Sequence, residues 1–559
     1  MDAPARLPVV LLWHMHQPQY RDALTGEYVL PWTYLHAIKD YTDMAAHLEQ
    51  NPAARAVVNF TPVLLEQLDE LSQRIAQHLF TGSALPGPVL ALLGPEPVPT
   101  DPELRLALLQ ACLRANRKNL VERFPPFLKL VTAAEQCASL DRIDGASDAL
   151  IHDLVVWYHL AWMGETVRRS DPRVAALSSQ ADGFTPAQRR QLLELIGELL
   201  AGIIPRYRRL QQSGQCELSV TPYSHPILPL LFDFNAARES VPDAPLPAHP
   251  GYPGGAERAQ WHVVESIHSF QRYFGVRPDG CWPAEGAISD ATLRLLDAQG
   301  FKWAASGSSV LHKSLQASHL NADAADSYNR PYQLPGSALR CFFREERLSD
   351  LIGFTYSTWR GDDAANNLVN ALADMVGPAT RAVLIALDGE NAWEYYPDNG
   401  YWFLQALYAG LVAHPRLELT TLSQCLNRGI PPLTLPRVQA GSWVQGTLAN
   451  WIGDPAKNRG WDLLCDAKQT FDEVAAAGFA NDAARAAATR QLSLCEGSDW
   501  FWWFGDYNPA EAVSQFDQLF RRQLLNLYKL LGRAAPDALS RPISIGSGSM
   551  ENGGVMRRA

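Results

Sequence analysis

The 559-residue chain is 47% hydrophobic and 19% charged, ordinary for a protein with a sizeable core and long enough for several domains. A formal charge of −11 and the absence of a long basic run exclude a phosphate backbone as the main partner, so no nucleic-acid function is expected. The eight scattered cysteines form no C-x-x-C pair, which signals neither zinc nor a redox dithiol and favours reduced thiols.

The chain enters on Pro8-Val9-Val10-Leu11-Leu12-Trp13, an apolar run too short to span a membrane and followed by no small-residue cleavage site. A cytoplasmic protein without a membrane partner is expected. Residues 7–13 read as a buried strand ending in His14-Met15-His16-Gln17-Pro18, and 56–60 as another, stopped by Thr61-Pro62. After the Pro/Gly-rich segment 85–101, stretches such as 103–117 and 186–212 repeat apolar residues at helical spacing. A helical insertion over about 100–213 follows. Strand texture returns at 216–220, before Trp282, at 301–305 and at 382–387, with helical patterns at 255–274 and 289–299 between. Strands alternating with helices predict βαβ units around a parallel sheet, with chemistry at the C-terminal strand ends. From about 465 the chain reads as helix, 508–531 most clearly. The Gly/Ser-rich tail 541–559 is expected to be disordered.

Six polar clusters fall at the strand ends or in the loops. Trp282-Pro283-Ala284-Glu285-Gly286 sets a carboxylate beyond a strand, although a solvated loop Glu has the same appearance. In Leu387-Asp388-Gly389-Glu390-Asn391-Ala392-Trp393 an apolar strand delivers several polar groups at once, and a capped strand-to-helix turn is the alternative. Taken together, Glu285 and Asp388 offer the two carboxyls that glycoside hydrolysis needs. His14 and His16 invite a metal reading, with His225 or Asp388 as further ligands, or a reading as hydrogen-bond donors to sugar hydroxyls. Glu217 and His225 sit around a Pro-rich turn, Glu217 as a carboxylate that orients the nucleophile or a histidine. Trp443, Trp451 and Trp461 lie among Asn, Asp and Gly, poor core material but suited to stacking on glucose. The run Trp500-Phe501-Trp502-Trp503-Phe504 reads as a packing plug or as a sugar platform, with Ser498, Asp499 and Trp500 within reach of a cleft.

These clusters, in this order, resemble glycoside hydrolase family 57, nearest its amylopullulanase-like members, from about residue 8 to about residue 540. The resemblance rests on His16-Gln17-Pro18, Gly214-Gln215-Cys216-Glu217, Trp282-Pro283-Ala284-Glu285, Asp388-Gly389-Glu390 and the Trp-rich region after 441. It implies an α/β fold, an incomplete (β/α)7 barrel over 1–430 that carries the helical insertion, followed by a helical domain over 431–540. It also implies an α-glucan or maltooligosaccharide substrate, Glu285 as nucleophile and Asp388 as general acid/base, with no cofactor and no metal. His14, His16, Trp32, Glu217 and His225 are the expected inner sugar contacts, beside Trp282 and Trp393; Trp443, Trp451 and Trp461 are the outer ones, with Asp499 and Trp500 at the edge. One departure stands out. Similar proteins often carry an acidic pair after Trp303, where this chain reads Ala304-Ala305-Ser306-Gly307-Ser308-Ser309. A 4-α-glucanotransferase or branching enzyme would use the same carboxylates, a metal-dependent deacetylase would need a tight His/Asp ligand set, and a binding protein would use none of them.

Overall fold

The computed structural model describes residues 6–324, 327–377 and 382–548. Seven parallel strands close into a barrel: β1 (Leu7–Met15), β2 (Ala56–Phe60), β3 (Cys216–Val220), β4 (Gly280–Cys281), β5 (Trp303–Gly307), β6 (Arg340–Arg344) and β7 (Val383–Asp388). Each pairs with the next, β7 returns to β1 along Val9↔Val383 to His14↔Asp388, and the β6–β7 seam is held at Arg344↔Leu384. The (β/α)7 architecture expected above is therefore the one the chain adopts. A parallel sheet covered on both faces demands near-continuous apolar strands, and every residue of β1 is buried.

Side chains alternate along a strand, so every second one enters the barrel. Val10 and Leu12, Val57, Trp303 and Ala305, Phe342, and Leu384 and Ala386 form one interior cluster with Trp282. Leu11, Trp13, Val58, Phe60, Ile385 and Leu387 face outward into the larger core shared with the helices. The interior rows continue upward to His14, Asn59, Gly307, Arg344 and Asp388, which brings the polar residues to one level at the C-terminal mouth.

Between β2 and β3 the chain is helical from Pro62–Thr81 through Pro186–Gln212, the latter opened by a Thr185–Gln188 capping box. The insertion thus begins before residue 100. After the barrel, helices Pro455–Ala477, Asp482–Cys495 and Ala510–Leu530 pack on one another and reach back to the mouth. No helix among the described residues is long and apolar enough to cross a membrane, and all eight cysteines are free.

Three expectations change. Strand β6 was not predicted, because Cys341-Phe342-Phe343 is a short apolar core framed by charges. The tail is ordered further than expected: Asp517 accepts from the Ile543 and Ser544 amides, Ser544 Oγ accepts from Gly505, and Gly548 bridges to Pro509. Residues 549–559 of that tail lie outside the described residues. Trp451 and Trp461, expected on a sugar-facing loop, are core. Trp461 lies within helix Pro455–Ala477, stacked on Phe501 at 4.3 Å, with its N–H donated to the Trp451 carbonyl. A Trp461→Ala substitution should therefore lower the stability of the full chain by about 3–5 kcal/mol, seen as an earlier denaturant midpoint; a sugar-facing indole would leave that midpoint in place.

Candidate active site

A cleft of about 1380 Å³ opens at the C-terminal mouth of the barrel. Glu285, Asp388, His14, His16, His225, Trp32, Trp443 and Asp499 line it together, so most of the predicted site residues converge.

Glu285 follows β4 in a tight turn and has left-handed backbone angles, φ 56° and ψ 24°. For a residue with a Cβ this conformation costs about 1–3 kcal/mol and persists only where neighbours hold it. Trp443 holds it twice. Its amide donates to the Glu285 carbonyl at 3.0 Å, and its indole N–H donates to Glu285 Oε2 at 2.9 Å. Asp388 ends β7, where Asn391 Nδ2 donates to its Oδ2 at 2.8 Å.

Burial pushes the Glu285 carboxyl up to about 8, assisted by the charge of Asp388 and opposed by the Trp443 hydrogen bond. Burial also raises Asp388, against the Asn391 hydrogen bond and the electrostatic influence of His16 and Arg344. Two raised acids in one dry enclosure titrate as a pair, and with Glu285 pushed up to about 8 that pair still holds a proton at neutral pH. Glu390, two residues on, is itself raised, by burial first and by Asp388 next, while its Oε1 accepts from the His16 amide and from Gln17.

The histidines form a wall rather than a set of free donors. His14 Nδ1 lies 2.7 Å from Asn59 Oδ1, and His14 Nε2 lies 3.1 Å from His225 Nε2. His225 Nδ1 meets Ser498 Oγ at 2.8 Å, and His16 spans Thr61 Oγ1 and Asp499 Oδ1. Burial drives His14 down to about 3 and His225 well below the ordinary histidine range, so both are neutral. With Asn59 accepting, the proton of neutral His14 sits on Nδ1; His225 then donates through Nε2 and accepts from Ser498. His16, His225 and Asp499 do bring potential ligand atoms within 4.8 Å of one another. Yet the His16 and His225 rings stack face to face at 3.8 Å and 16°, and every ring nitrogen already has a partner. An ion shared by two stacked rings would lie out of both ring planes, so these residues suit a hydrogen-bonded wall better than a metal.

Several predicted residues stand elsewhere. Glu217 faces into the barrel near the opposite end, roughly 13 Å along β3 from Thr221, where it accepts from Trp303 Nε1 and from the Ser423 amide and hydroxyl. It braces the barrel floor and orients neither carboxyl nor histidine at the mouth. Trp282 and Trp393 are fully buried beneath the site, packed on Trp443 and Trp13 respectively. Trp500 is buried and donates to the Leu494 carbonyl; from the same aromatic run it is Trp502 and Trp503 that reach the cleft.

Other cleft residues were not singled out from the sequence. Arg344, at the end of the unpredicted β6, lies over the Trp443 ring at 4.8 Å and donates to the Ala386 carbonyl and to Asp350. Glu346 accepts from the amide and hydroxyl of Ser309, and its Oε1 stands 2.6 Å from where a Cβ on Gly307 would lie. Glu346, at the start of the helix after β6, thus sets a carboxylate beside the end of β5, and Gly307 makes room for it. Trp162, from the helical insertion, packs on Trp32 at 5.8 Å. An apolar strand ending in Arg and Glu was the available signal for the first two. Nothing in the helical periodicity marked Trp162.

A closed parallel barrel with two buried carboxyls at its mouth holds the two groups that glycoside hydrolysis requires. The glycosyl hydrolase family 57 model matches residues 10–437, and the chain belongs to that family. Among solved structures it is similar to the family 57 branching enzyme of Pyrococcus horikoshii (TM-score 0.57, 15% identity, covering 95% of this chain and 96% of that one). It is also similar to the branching enzyme of Thermococcus kodakaraensis (0.58, 14%, 94% and 90%) and to an α-amylase of Thermotoga maritima (0.54, 13%, 96% and 96%). At these identities the likeness is one of fold. No curated protein sequence gives a significant match.

Replacing Trp443 by Phe keeps a ring under Arg344 but removes the donor to Glu285. The carboxylate loses a charge-assisted bond, so the upper limb of the kcat/KM profile should move to higher pH and turnover at neutrality should fall. An unmoved limb would show that the indole N–H has no influence on the pair.

Proposed function

We propose that the chain is a retaining hydrolase of α-glucans that cleaves α-1,4 links through a covalent glucosyl intermediate. The observation that carries this reading is the buried pair itself: two carboxyls lining one cleft, both raised by burial and Glu285 to about 8. Glu285 attacks C1 of the bound glucosyl unit while Asp388 passes its proton to the leaving oxygen. The C1–oxygen bond breaks, a C1–Glu285 bond forms, and the leaving sugar departs as an alcohol. Asp388, now the base, takes a proton from water, and the resulting hydroxide equivalent displaces Glu285 from C1. The Trp443 N–H stabilises the Glu285 carboxylate before attack and after release. The neutral wall of His14 and His225 adds no charge to compete for the shared proton. The eight unpaired thiols fit a reducing, cytoplasmic setting for this work.

A transfer reading rests on one further feature. Trp502, Trp503 and Phe516 from the C-terminal helices give the cleft an aromatic wall on which a second sugar can sit. If that sugar's hydroxyl replaces water, the same pair makes a glucanotransferase or a branching enzyme. Incubation with maltoheptaose and pullulan separates the possibilities: shorter sugars alone mean hydrolysis, maltotriose from pullulan adds α-1,6 cleavage, and longer sugars mean transfer. Glu285→Gln should lower turnover about a thousandfold or more while retaining glucan binding and an unchanged thermal midpoint; normal turnover in that variant rejects the assignment.

The raised pair also sets a pH dependence. Burial pushes Glu285 up to about 8, so the pair keeps a proton below that pH, carried by Asp388 when Glu285 attacks, and loses it above. The singly protonated pair therefore disappears as pH rises, and kcat/KM should fall on the alkaline side of about pH 8. A profile already falling at pH 5 to 6 would contradict the shared-proton account.

A further inference from the structure

Two large indoles remain exposed at the rim of the barrel mouth, Trp359 at 42% and Trp402 at 52%. Neither belongs to the cleft lining. Helix Tyr401–Ala413 follows β7, and helix Gly361–Asp374 leads into the start of β7. Both helices therefore begin at the end of the barrel where the strands finish, which is the face that carries Glu285 and Asp388. The two starts are in contact: a Cβ on Gly361 would stand 2.9 Å from the Trp402 Cβ and 2.6 Å from the Phe403 amide nitrogen. Trp359, two residues earlier, rests edge-on against Tyr356 at 5.3 Å, and Tyr356 packs on Phe403.

Trp402 is held rather than merely exposed. Its N–H donates to Asp398 Oδ2 at 2.9 Å, and the Arg169 guanidinium covers its ring at 4.7 Å. The turn that presents it has three successive left-handed residues, Asp398, Asn399 and Gly400. Arg123 pairs with Asp398, while Lys39 and Asp43 bind the Asn399 amide group, and together they over-determine the turn. Strain of this kind is characteristic of ligand clamps. Tyr395, on the same segment, does line the cleft. Tyr395 in the cleft and Trp402 outside it thus belong to the one segment that follows Asp388, and Trp359 stands beside the start of its helix.

We propose that Trp359 and Trp402 form an outer binding ledge for an α-glucan chain, beyond the cleft. A pyranose ring offers an apolar face to an indole, and fixing the indole in advance removes the cost of ordering it on binding. Asp398, Arg360 and Asp362 border the ledge and supply hydrogen-bond partners for sugar hydroxyls. The chain is either the far end of the molecule being cut or a separate strand of the same polymer. This inference takes its ligand class from the proposed function.

The test is retardation of the full-length protein in native gels containing amylopectin, with Glu285→Gln as background so that the polymer stays intact. Trp359→Ala, Trp402→Ala and the double variant are compared. These exposed sites should leave the thermal midpoint unchanged, and the single variants give separate readings if the double one misfolds. The double variant should bind amylopectin about tenfold more weakly, while maltoheptaose turnover, measured with Glu285 restored, changes less than about twofold. A parallel loss of kcat/KM on amylopectin assigns the ledge to the chain being cut; loss of retardation alone assigns it to a separate strand. Retardation equal to the parent's overturns the ledge, and a change of oligomeric mass in its place gives this face to a second copy of the chain. Maltoheptaose turnover with no retardation of the parent rejects the ledge alone. Failure of both rejects the α-glucan reading as well.

Discussion

A closed barrel of seven parallel strands admits only alternate side chains to its interior, and the site is built from the point where those inward rows stop being hydrocarbon. Val10 and Leu12 lead to His14, Leu384 and Ala386 to Asp388, Val57 to Asn59, and Phe342 to Arg344. The His14↔Asp388 and His14↔Asn59 registers fix these residues side by side on backbone hydrogen bonds. A slip of one residue in β1 would turn His14 outward into the helices and expose Trp13 to the cleft. Strand register therefore places His14, Asn59, Arg344 and Asp388, while Glu285 is added from the turn after β4.

The remaining parts are brought to that level from distant sequence. The clamp around Glu496 shows how. Its carboxylate accepts from Tyr252, Arg258 and His262, and although burial alone would raise it, Arg258 and His262 hold it down at about 2. A buried ion pair so fully satisfied contributes position more than stability. The position matters because Ser498 and Asp499 follow directly and reach His225 and His16. Trp443 arrives from another direction and grips Glu285 by backbone and side chain. The C-terminal region is thus structurally part of the site, which explains why that region and the barrel share one hydrophobic core.

Much of this was legible in the sequence, and the failures have physical causes. Strands β1, β2 and β7 are apolar runs bounded by polar clusters, and Asp388 was singled out because it ends such a run, Glu285 because of the Trp-Pro-Ala-Glu-Gly turn around it. Strand β6 escaped because only three apolar residues separate its flanking arginines, and Arg344 and Glu346 escaped with it. Glu217 was assigned to the site from its neighbours, whereas its place at the beginning of β3 sends it to the barrel floor. Trp451 and Trp461 were assigned from loop-like composition. Asp454 followed by Pro455 is a readable helix start, and it places Trp461 on the buried side of a helix. The insertion's contribution, Trp162, depends on how a helical layer folds over the mouth, which no local pattern encodes.

In the proposed mechanism Glu285 becomes covalently bound to a glucosyl unit. Incubating the protein with a slow α-glucosyl fluoride that carries a second, deactivating fluorine on the ring, followed by peptide mass spectrometry, tests for that bond. One added fluoroglucosyl unit is expected on the peptide containing Glu285, removed on incubation with maltose as acceptor. Label on the Asp388 peptide, or fluoride release with no labelled peptide at any time, would contradict that mechanism.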